Sequence, residues 1–405
     1  MDKLWKSFSV SIPMNKEGSV YYTMHLVIIG AGEFQKPIIE KANEMGYETH
    51  VFAWESGATG KSVAHHFYPI SVTEKELILE ACKKIKPIGI VTGASDLTNI
   101  TVQFIAERLG LIGNSRSCIE KTTNKFIMRN ALRKAGIRTP EYICVSQGDE
   151  IEGKLKSFKF PLIIKPTDRS GSRGVCRVNS ISDVEKAVQI ALQHSFEKRI
   201  IIEDFIEGNE YSCETISYRG KHHLLAVTEK YTTGFPNYIE TGHIQPAGLS
   251  FELGHKIKET VFSALDALEV ENGAAHTELK VNGEGIMIIE SGSRMGGDCI
   301  GTHLVPLSTG IDYTKLVINV ACGIEPVLPE NMKGKSAGIR FIFDKNDYDR
   351  LALIKREFPH RLGYVYETEE TIKKITESGE RKGFYIVIDR ERMDVAKILA
   401  MEQRD

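Results

Sequence analysis

Between residues 25 and 109, short apolar runs alternate with helix-patterned stretches, and this alternation leaves few folds open. His25-Leu26-Val27-Ile28-Ile29-Gly30 reads as a short buried strand. Gly30-Ala31-Gly32 then turns the chain into a helical stretch that runs to Met45 and is ended by Gly46. Glu48 to Ala53 reads as a second strand, Glu74 to Lys84 as a helix, Pro87 to Thr92 as a third strand and Thr98 to Leu109 as a helix. Such alternation implies a parallel sheet with helices on both faces, so residues 24–115 are expected to form one α/β domain. Residues 1–23 precede it as an extension with no apolar core of a leader peptide.

After residue 116 the pattern becomes α+β. A helix is expected from Ser117 to Ala135, stopped by Gly136 and Pro140. Strand-like runs follow at 141–145, 161–165, 174–178, 200–204 and 211–217, interrupted by a helix from Ile181 to Gln193. Strands at 223–229, 275–281 and 286–291 continue the pattern around a helix near 252–268. The last 75 residues, 331–405, read as a small α+β cap with strands at 337–344 and 382–389 and two helices.

Composition excludes several classes. The 405 residues carry a net charge of -2, which gives no global field for nucleic acid or an acidic membrane. No apolar run approaches the roughly 20 residues needed to span a bilayer. The seven cysteines are scattered without a C-x-x-C pair, which argues against a zinc knuckle or a disulfide framework and fits a reducing cytoplasm.

Four segments carry chemistry. Gly30-Ala31-Gly32-Glu33-Phe34-Gln35 superficially matches a dinucleotide fingerprint, but Gln35 stands where the third glycine belongs, and a tight strand-to-helix turn explains it. Leu162-Ile163-Ile164-Lys165 is an apolar strand that enters the small-residue loop Arg169-Ser170-Gly171-Ser172-Arg173-Gly174. Backbone N–H groups in such a loop can approach phosphate oxygens, and Lys165 can add a point charge; a flexible hairpin is the plainer alternative. Ile201-Ile202-Glu203-Asp204-Phe205-Ile206-Glu207-Gly208-Asn209-Glu210 is an acidic connector that could meet an adenine edge and a ribose, or be an ordinary solvated turn.

The fourth segment is the most chemical. His276-Thr277-Glu278-Leu279-Lys280-Val281 and Ile286-Met287-Ile288-Ile289-Glu290-Ser291 flank Asn282-Gly283-Glu284-Gly285, a hairpin signal. Glu278 and Glu290 share a face if the pairing register sums to an even number, which an odd-length loop such as 282–284 would give. Neighbouring carboxylates remain charged only with a cation between them, and hard oxygen ligands suit Mg²⁺ on nucleotide phosphates. The plain alternative is a surface hairpin with two exposed acids. Arg294 can bind a carboxylate or acyl phosphate bidentately, and Gly296-Gly297 can offer N–H groups to an oxyanion.

The order of these pieces from Met24 to about Arg340 resembles the ATP-grasp superfamily, most nearly its L-amino-acid ligases and carnosine-synthase-like members. The resemblance implies an ATP-grasp fold: an N-terminal Rossmann-like parallel-sheet domain, an ATP-grasp domain over 116–330 with a lid subdomain at about 141–205, and a C-terminal α+β portion. It places Lys125 and Lys165 on nucleotide phosphates and makes the loop holding Ser170 and Ser172 the phosphate lid. Glu203 with the backbone of Phe205 and Ile206 becomes the adenine hinge, and Glu210 the ribose ligand. Glu278 and Glu290 become ligands of Mg²⁺, with Mn²⁺ as the alternative, and Arg294 holds the acyl phosphate. The segment Thr232 to Pro246 is similar to a substrate-lining stretch of the amino-acid ligases, so Glu240 and His243 are candidates to face a substrate amine; His243 reads equally as a loop hydrogen-bonder. The first α/β domain commonly mediates dimers in similar proteins, which brings a homodimer within what the resemblance implies.

Two departures stand out. Many ATP-grasp enzymes have Asn two residues after the second Glu, where this chain has Gly292; Ser291 or Ser293 could supply the missing ligand. Asp298 follows the glycine pair, where an acid would favour a cationic or amino-bearing acceptor. The resemblance implies an ATP-dependent carboxylate–amine ligase working through an acyl phosphate on small-molecule substrates. The alternatives are a purine-pathway or carbamoyl-phosphate-like enzyme, a non-catalytic ATP sensor suggested by Gly292, and a nicotinamide oxidoreductase resting on Gly30-Ala31-Gly32 alone.

Overall fold

A computed structural model describes residues 23–236, 238–330, 334–368 and 375–400. The expected extension therefore lies, apart from Thr23, outside the described residues, as does Asn237 of the substrate-lining segment.

Three sheets organise the described residues. The first is parallel, with β1 (His25–Ile29), β2 (Glu48–Phe52), β3 (His66–Tyr68) and β4 (Gly89–Val91) in the order β3-β2-β1-β4. The β1 run is apolar because both its faces are covered. Leu26 and Ile28 pack in a cluster with Ile38 and Ile39 of α1 (Lys36–Glu44), while Val27 and Ile29 pack against α2 (Lys75–Ile85) and α3 (Asp96–Leu109). Each such side chain contributes roughly 1.5–3 kcal/mol of burial. Strand β3 escapes sequence reading because three residues show no period.

Gly30 turns with φ +99°, and a Cβ there would lie 2.0 Å from Gln35 Oε1. The Gln35 side chain thus sits over the turn, in agreement with the tight-turn reading.

The helix expected from Ser117 to Ala135 is in fact two, α4 (Arg116–Thr123) and α5 (Lys125–Lys134). Asn124 is extended, and its Oδ1 accepts from the N–H groups of Phe126 and Ile127 at 3.1 and 3.2 Å, a side-chain cap that restarts the helix. This break sets Lys125 at the first position of α5.

The second sheet is antiparallel, with β5 (Tyr142–Ser146), β6 (Leu162–Pro166), β7 (Cys176–Val178) and β8 (Arg199–Asp204) in the order β5-β8-β6-β7, covered by α6 (Val184–His194).

The third sheet is eight-stranded. Its strands are β9 (Asn209–Tyr218), β10 (Lys221–Thr232), β11 (Glu240–Gln245), β12 (Gly273–Asn282), β13 (Gly285–Gly292), β14 (Ser336–Phe341), β15 (Leu362–Glu367) and β16 (Gly383–Asp389). Their order is β13-β12-β9-β10-β11-β14-β16-β15, so the strands of the last 75 residues continue the central sheet. One face is apolar: Tyr211, Cys213, Ala275 and Leu279 pack on Ile257, Val261 and Leu265 of α7 (Phe251–Ala267). The other face carries the chemistry. No helix among the described residues is long and apolar enough to cross a membrane.

Candidate active site

Register decides which side chains meet. Across β10, β9 and β12, Lys230 pairs with Glu210 and Glu210 with Lys280, Thr228 with Ser212 and Ser212 with Glu278, and Ala226 with Glu214 and Glu214 with His276. Because directly paired residues share a face and the period is two, the even-numbered positions of these strands form one polar surface.

The hairpin between β12 and β13 has a two-residue loop, since Asn282 pairs with Gly285. The odd-length loop expected from sequence is therefore absent, and the register out to Leu279–Ile288 would place the two glutamates on opposite faces. A β-bulge corrects this: Ile289 is unpaired, and beyond it Glu278 stands directly opposite Glu290. The bulge is pinned by Arg129 of α5, whose Nη2 donates to the Ile289 carbonyl at 2.7 Å.

Arg129 is fully buried and also pairs with Glu203 at 2.9 Å. Lys165 meets the same carboxylate at 2.9 Å from β6. Ile163 pairs with Glu203 and Lys165 with Ile201, so Lys165 and Glu203 share a face of the second sheet. Burial would raise the Glu203 carboxyl, but Arg129 and then Lys165 outweigh it and hold it below the usual range. Burial lowers the Lys165 ammonium, only partly opposed by Glu203. The Glu203 carboxylate is thus held between two cations at the cleft, beside Phe205 and Ile206 of the connector.

Lys125 projects from the start of α5, anchored by its own N–H to the Thr167 carbonyl at 2.8 Å. Its Nζ contacts Glu290 Oε1 at 3.1 Å and the Arg169 carbonyl at 2.7 Å. Lys230 contacts Glu278 and lies 3.4 Å from Glu210 and 3.9 Å from Glu240. Burial would lower the Lys230 ammonium; Glu278, Glu210 and Glu240 together raise it instead. Each acid of the facing pair thus has an ammonium against it.

His276 bridges Glu214 and Glu278: its Nδ1 meets Glu214, and its Nε2 lies 3.3 Å from Glu278 Oε1. Burial would lower its pKa, yet Glu214 and Glu278 raise it to about 9. Burial would raise the Glu278 carboxyl, but Lys230 and His276 hold it well below its ordinary value.

Arg294 donates through Nε to Asp96 Oδ1 at 2.8 Å, so the first residue of α3 enters this site from the N-terminal sheet. Burial would raise the Asp96 carboxyl, and Arg294 outweighs it.

Most of these groups border one cleft of about 210 Å³, lined by Lys125, Lys165, Ser170, Ser172, Glu203, Phe205, Ile206, Glu210, Glu240, Glu278, Glu290 and Arg294 among others. Tyr238 belongs to the same lining, and its hydroxyl accepts from Arg177 Nη1 at 2.7 Å. Three expected site residues lie outside the lining: Gly297, His243 and Asp298. The Gly296 N–H is taken by Glu214 at 2.9 Å. Asp298 accepts from Arg381 at 2.9 and 2.5 Å, so a guanidinium already faces its carboxylate. His243 is fully buried, 3.8 Å from Asp298 Oδ2. Neither serine offered in place of the Gly292 side chain lines the cleft: Ser291 pairs with Thr277 at 2.9 Å, and Ser293 is held by Asn99 and Thr122 at 3.0 and 2.9 Å.

Asp96, Arg129, Glu214, Lys230, His276 and Arg381 escape sequence reading. Two left a signal. Glu214 lies four positions after Glu210 in the strand-like run 211–217, hence on its face, and His276 lies two positions before Glu278, hence on its face.

Residues 158–302 match the ATP-grasp domain family. This stretch of the chain is similar to an ATP-grasp domain. The chain is 29% identical over 283 residues to alanine–anticapsin ligase of Bacillus subtilis (strain 168), an alignment covering 62% of this chain and 59% of that protein. The match thus spans about three fifths of that relative's length. Among solved structures, the L-amino acid ligase from Bacillus licheniformis superposes with a TM-score of 0.81 at 24% identity, covering 94% of this chain and 97% of that one. The ADP complex of an N5-carboxyaminoimidazole ribonucleotide synthetase superposes with a TM-score of 0.76 at 20% identity over 93% and 95% of the chains. These likenesses show the ATP-grasp fold.

Proposed function

We propose that this chain is an ATP-dependent carboxylate–amine ligase of the amino-acid or dipeptide type, which forms an amide through an acyl phosphate and releases ADP and phosphate. The observation that carries the reading is the facing pair Glu278–Glu290 in a cleft that also holds Lys125, Lys165 and Arg294. The names of the alanine–anticapsin ligase and L-amino acid ligase relatives support the same class.

The donor set fits Mg²⁺: two carboxylates from adjacent strands face each other, and each is charge-balanced by a lysine that could turn to phosphate. Glu278 and Glu290 would hold the ion, which supplies charge neutralisation to phosphate oxygens. Lys125 and Lys165 would neutralise the transferring phosphoryl group, and the loop with Ser170 and Ser172 would cover it. Phe205, beside Tyr238 at 5.7 Å between ring centroids, would border the base, and Glu210 the ribose. Arg294, oriented by Asp96, would hold the carboxylate and then the acyl phosphate.

In the first step a carboxylate oxygen attacks the γ-phosphorus and the bond to the bridging oxygen of ADP breaks. In the second an amine attacks the acyl carbon and phosphate leaves. Neither step needs a protein nucleophile; positioning can supply up to ~7–11 kcal/mol. Action in the cytoplasm on small molecules accords with seven free cysteines.

The test is a phosphate-release screen with ATP, Mg²⁺ and pairs of amino acids. Release that requires a specific pair supports the ligase. Release with ribotides would move the chain to the purine-pathway class, and tight ATP binding without turnover over the full panel would make it a sensor.

A further inference from the structure

We propose that His25, Glu48 and His50 form a binding site for a divalent transition-metal ion of the zinc class, with His66 and Tyr68 orienting its ligands. The site lies on the N-terminal sheet at the opposite end of the parallel strands from Asp96, which follows the far end of β4.

The sheet brings these residues together. His25 pairs in register with Glu48, and His50 with His66. Glu48 and His50 are two positions apart on β2, so the four side chains share one face. The adjacent Thr49 and His65 belong to the other face and bond each other at 3.0 Å.

One donor atom from each of His25, Glu48 and His50 lies within 4.8 Å of the others. His25 Nδ1 and His50 Nε2 are 3.0 Å apart. Tetrahedral zinc with metal–nitrogen bonds of about 2.0–2.1 Å sets its ligand atoms roughly 3.3 Å apart, so a small rotation admits the ion. Imidazole nitrogens with a carboxylate select zinc or its neighbours over magnesium.

The outer contacts are those that metal-bound groups use. His50 Nδ1 bonds the Tyr68 hydroxyl at 2.9 Å, which leaves Nε2 to face His25. His66 Nε2 meets Glu48 Oε1 at 2.5 Å. His50 is buried, whereas the Glu48 and His66 side chains are 32% and 29% exposed, which gives an ion a route in from solvent. Three protein ligands leave a fourth position for water. An ion here would clamp β1 to β2 and has no part in the cleft.

The test uses the full chain, stripped with chelator and titrated with Zn²⁺ by calorimetry and with Co²⁺ by visible absorption. Wild type should bind one equivalent of Zn²⁺, and Glu290→Gln should bind it equally, which separates this site from the cleft. His25→Ala and Glu48→Gln should each weaken binding at least ~100-fold, and Tyr68→Phe about 10–100-fold. Co²⁺ in the wild type should give the intense visible bands of a four-coordinate nitrogen–oxygen site, a readout that holds even if a variant misfolds. Absence of Zn²⁺ binding in the wild type would overturn the proposal, as would binding unchanged in folded His25→Ala and Glu48→Gln or lost in Glu290→Gln.

Discussion

The Asp96 carboxylate stands where a side chain at position 292 would begin: a Cβ on Gly292 would lie 3.1 Å from Asp96 Oδ1 and 3.3 Å from the Arg294 guanidinium. The departure from the usual asparagine thus has a spatial counterpart. An acid from the N-terminal portion occupies the room that glycine leaves and aligns Arg294.

Gly292→Asn should push Asp96 and Arg294 apart. Overpacking of this kind costs typically about 1–3 kcal/mol. ATP-dependent phosphate release should fall at least ~10-fold, and combination with Asp96→Gly should recover part of the loss. A double-mutant cycle checks the coupling; strictly additive losses would mean that the two positions do not share space.

Arg129 ties the bulge to Glu203. Arg129→Leu leaves the Ile289 carbonyl unbonded and Glu203 with Lys165 alone. Removing one partner of a buried ion pair costs about 3–5 kcal/mol, and the remaining lysine places this case at the lower end. Arg129→Lys should rescue little, because an ammonium lacks the fork that reaches both acceptors. Urea unfolding measures both variants.

The His276 network predicts a pH dependence. Its folded pKa is raised from the ordinary 6.5 to about 9, so its contribution is fully present below pH 6.5 and is lost as pH rises through about 9. Without Mg²⁺ and nucleotide, stability should decline across that window by up to about 3 kcal/mol, at 1.36 kcal/mol per unit. His276→Gln should flatten the profile, as followed by thermal unfolding at stepped pH; an unchanged slope would remove His276 as its source.

Lys165→Ala should weaken ATP binding severalfold or more by calorimetry. It should also lower the melting temperature, since Glu203 keeps only Arg129. Unchanged affinity would count against Lys165 as a phosphate ligand.

The sequence made the strand–helix alternation legible, because the buried β1 run and its turn are local. It also exposed Lys165 and Glu290, which end strong apolar runs, and Glu278 and Arg294, which lie in and just after the same hairpin signal. The Ile289 bulge was hidden, since a two-residue loop alone argues for the wrong face and the pin is an arginine on a distant helix. Asp96 and Arg381 reach their partners through tertiary packing, for which no spacing rule exists. The guanidinium that faces Asp298 was hidden for the same reason, since Arg381 lies 83 positions away.

The most direct measurement of the central claim is Mg²⁺-dependent ATP binding and turnover in Glu290→Gln, compared with wild type at equal fold integrity. Loss of ADP release, together with loss of the Mg²⁺ dependence of ATP affinity, is the expected result. Near-normal ADP release from Glu290→Gln would contradict the assignment of the facing glutamates to the metal, and with it the ligase mechanism built on them.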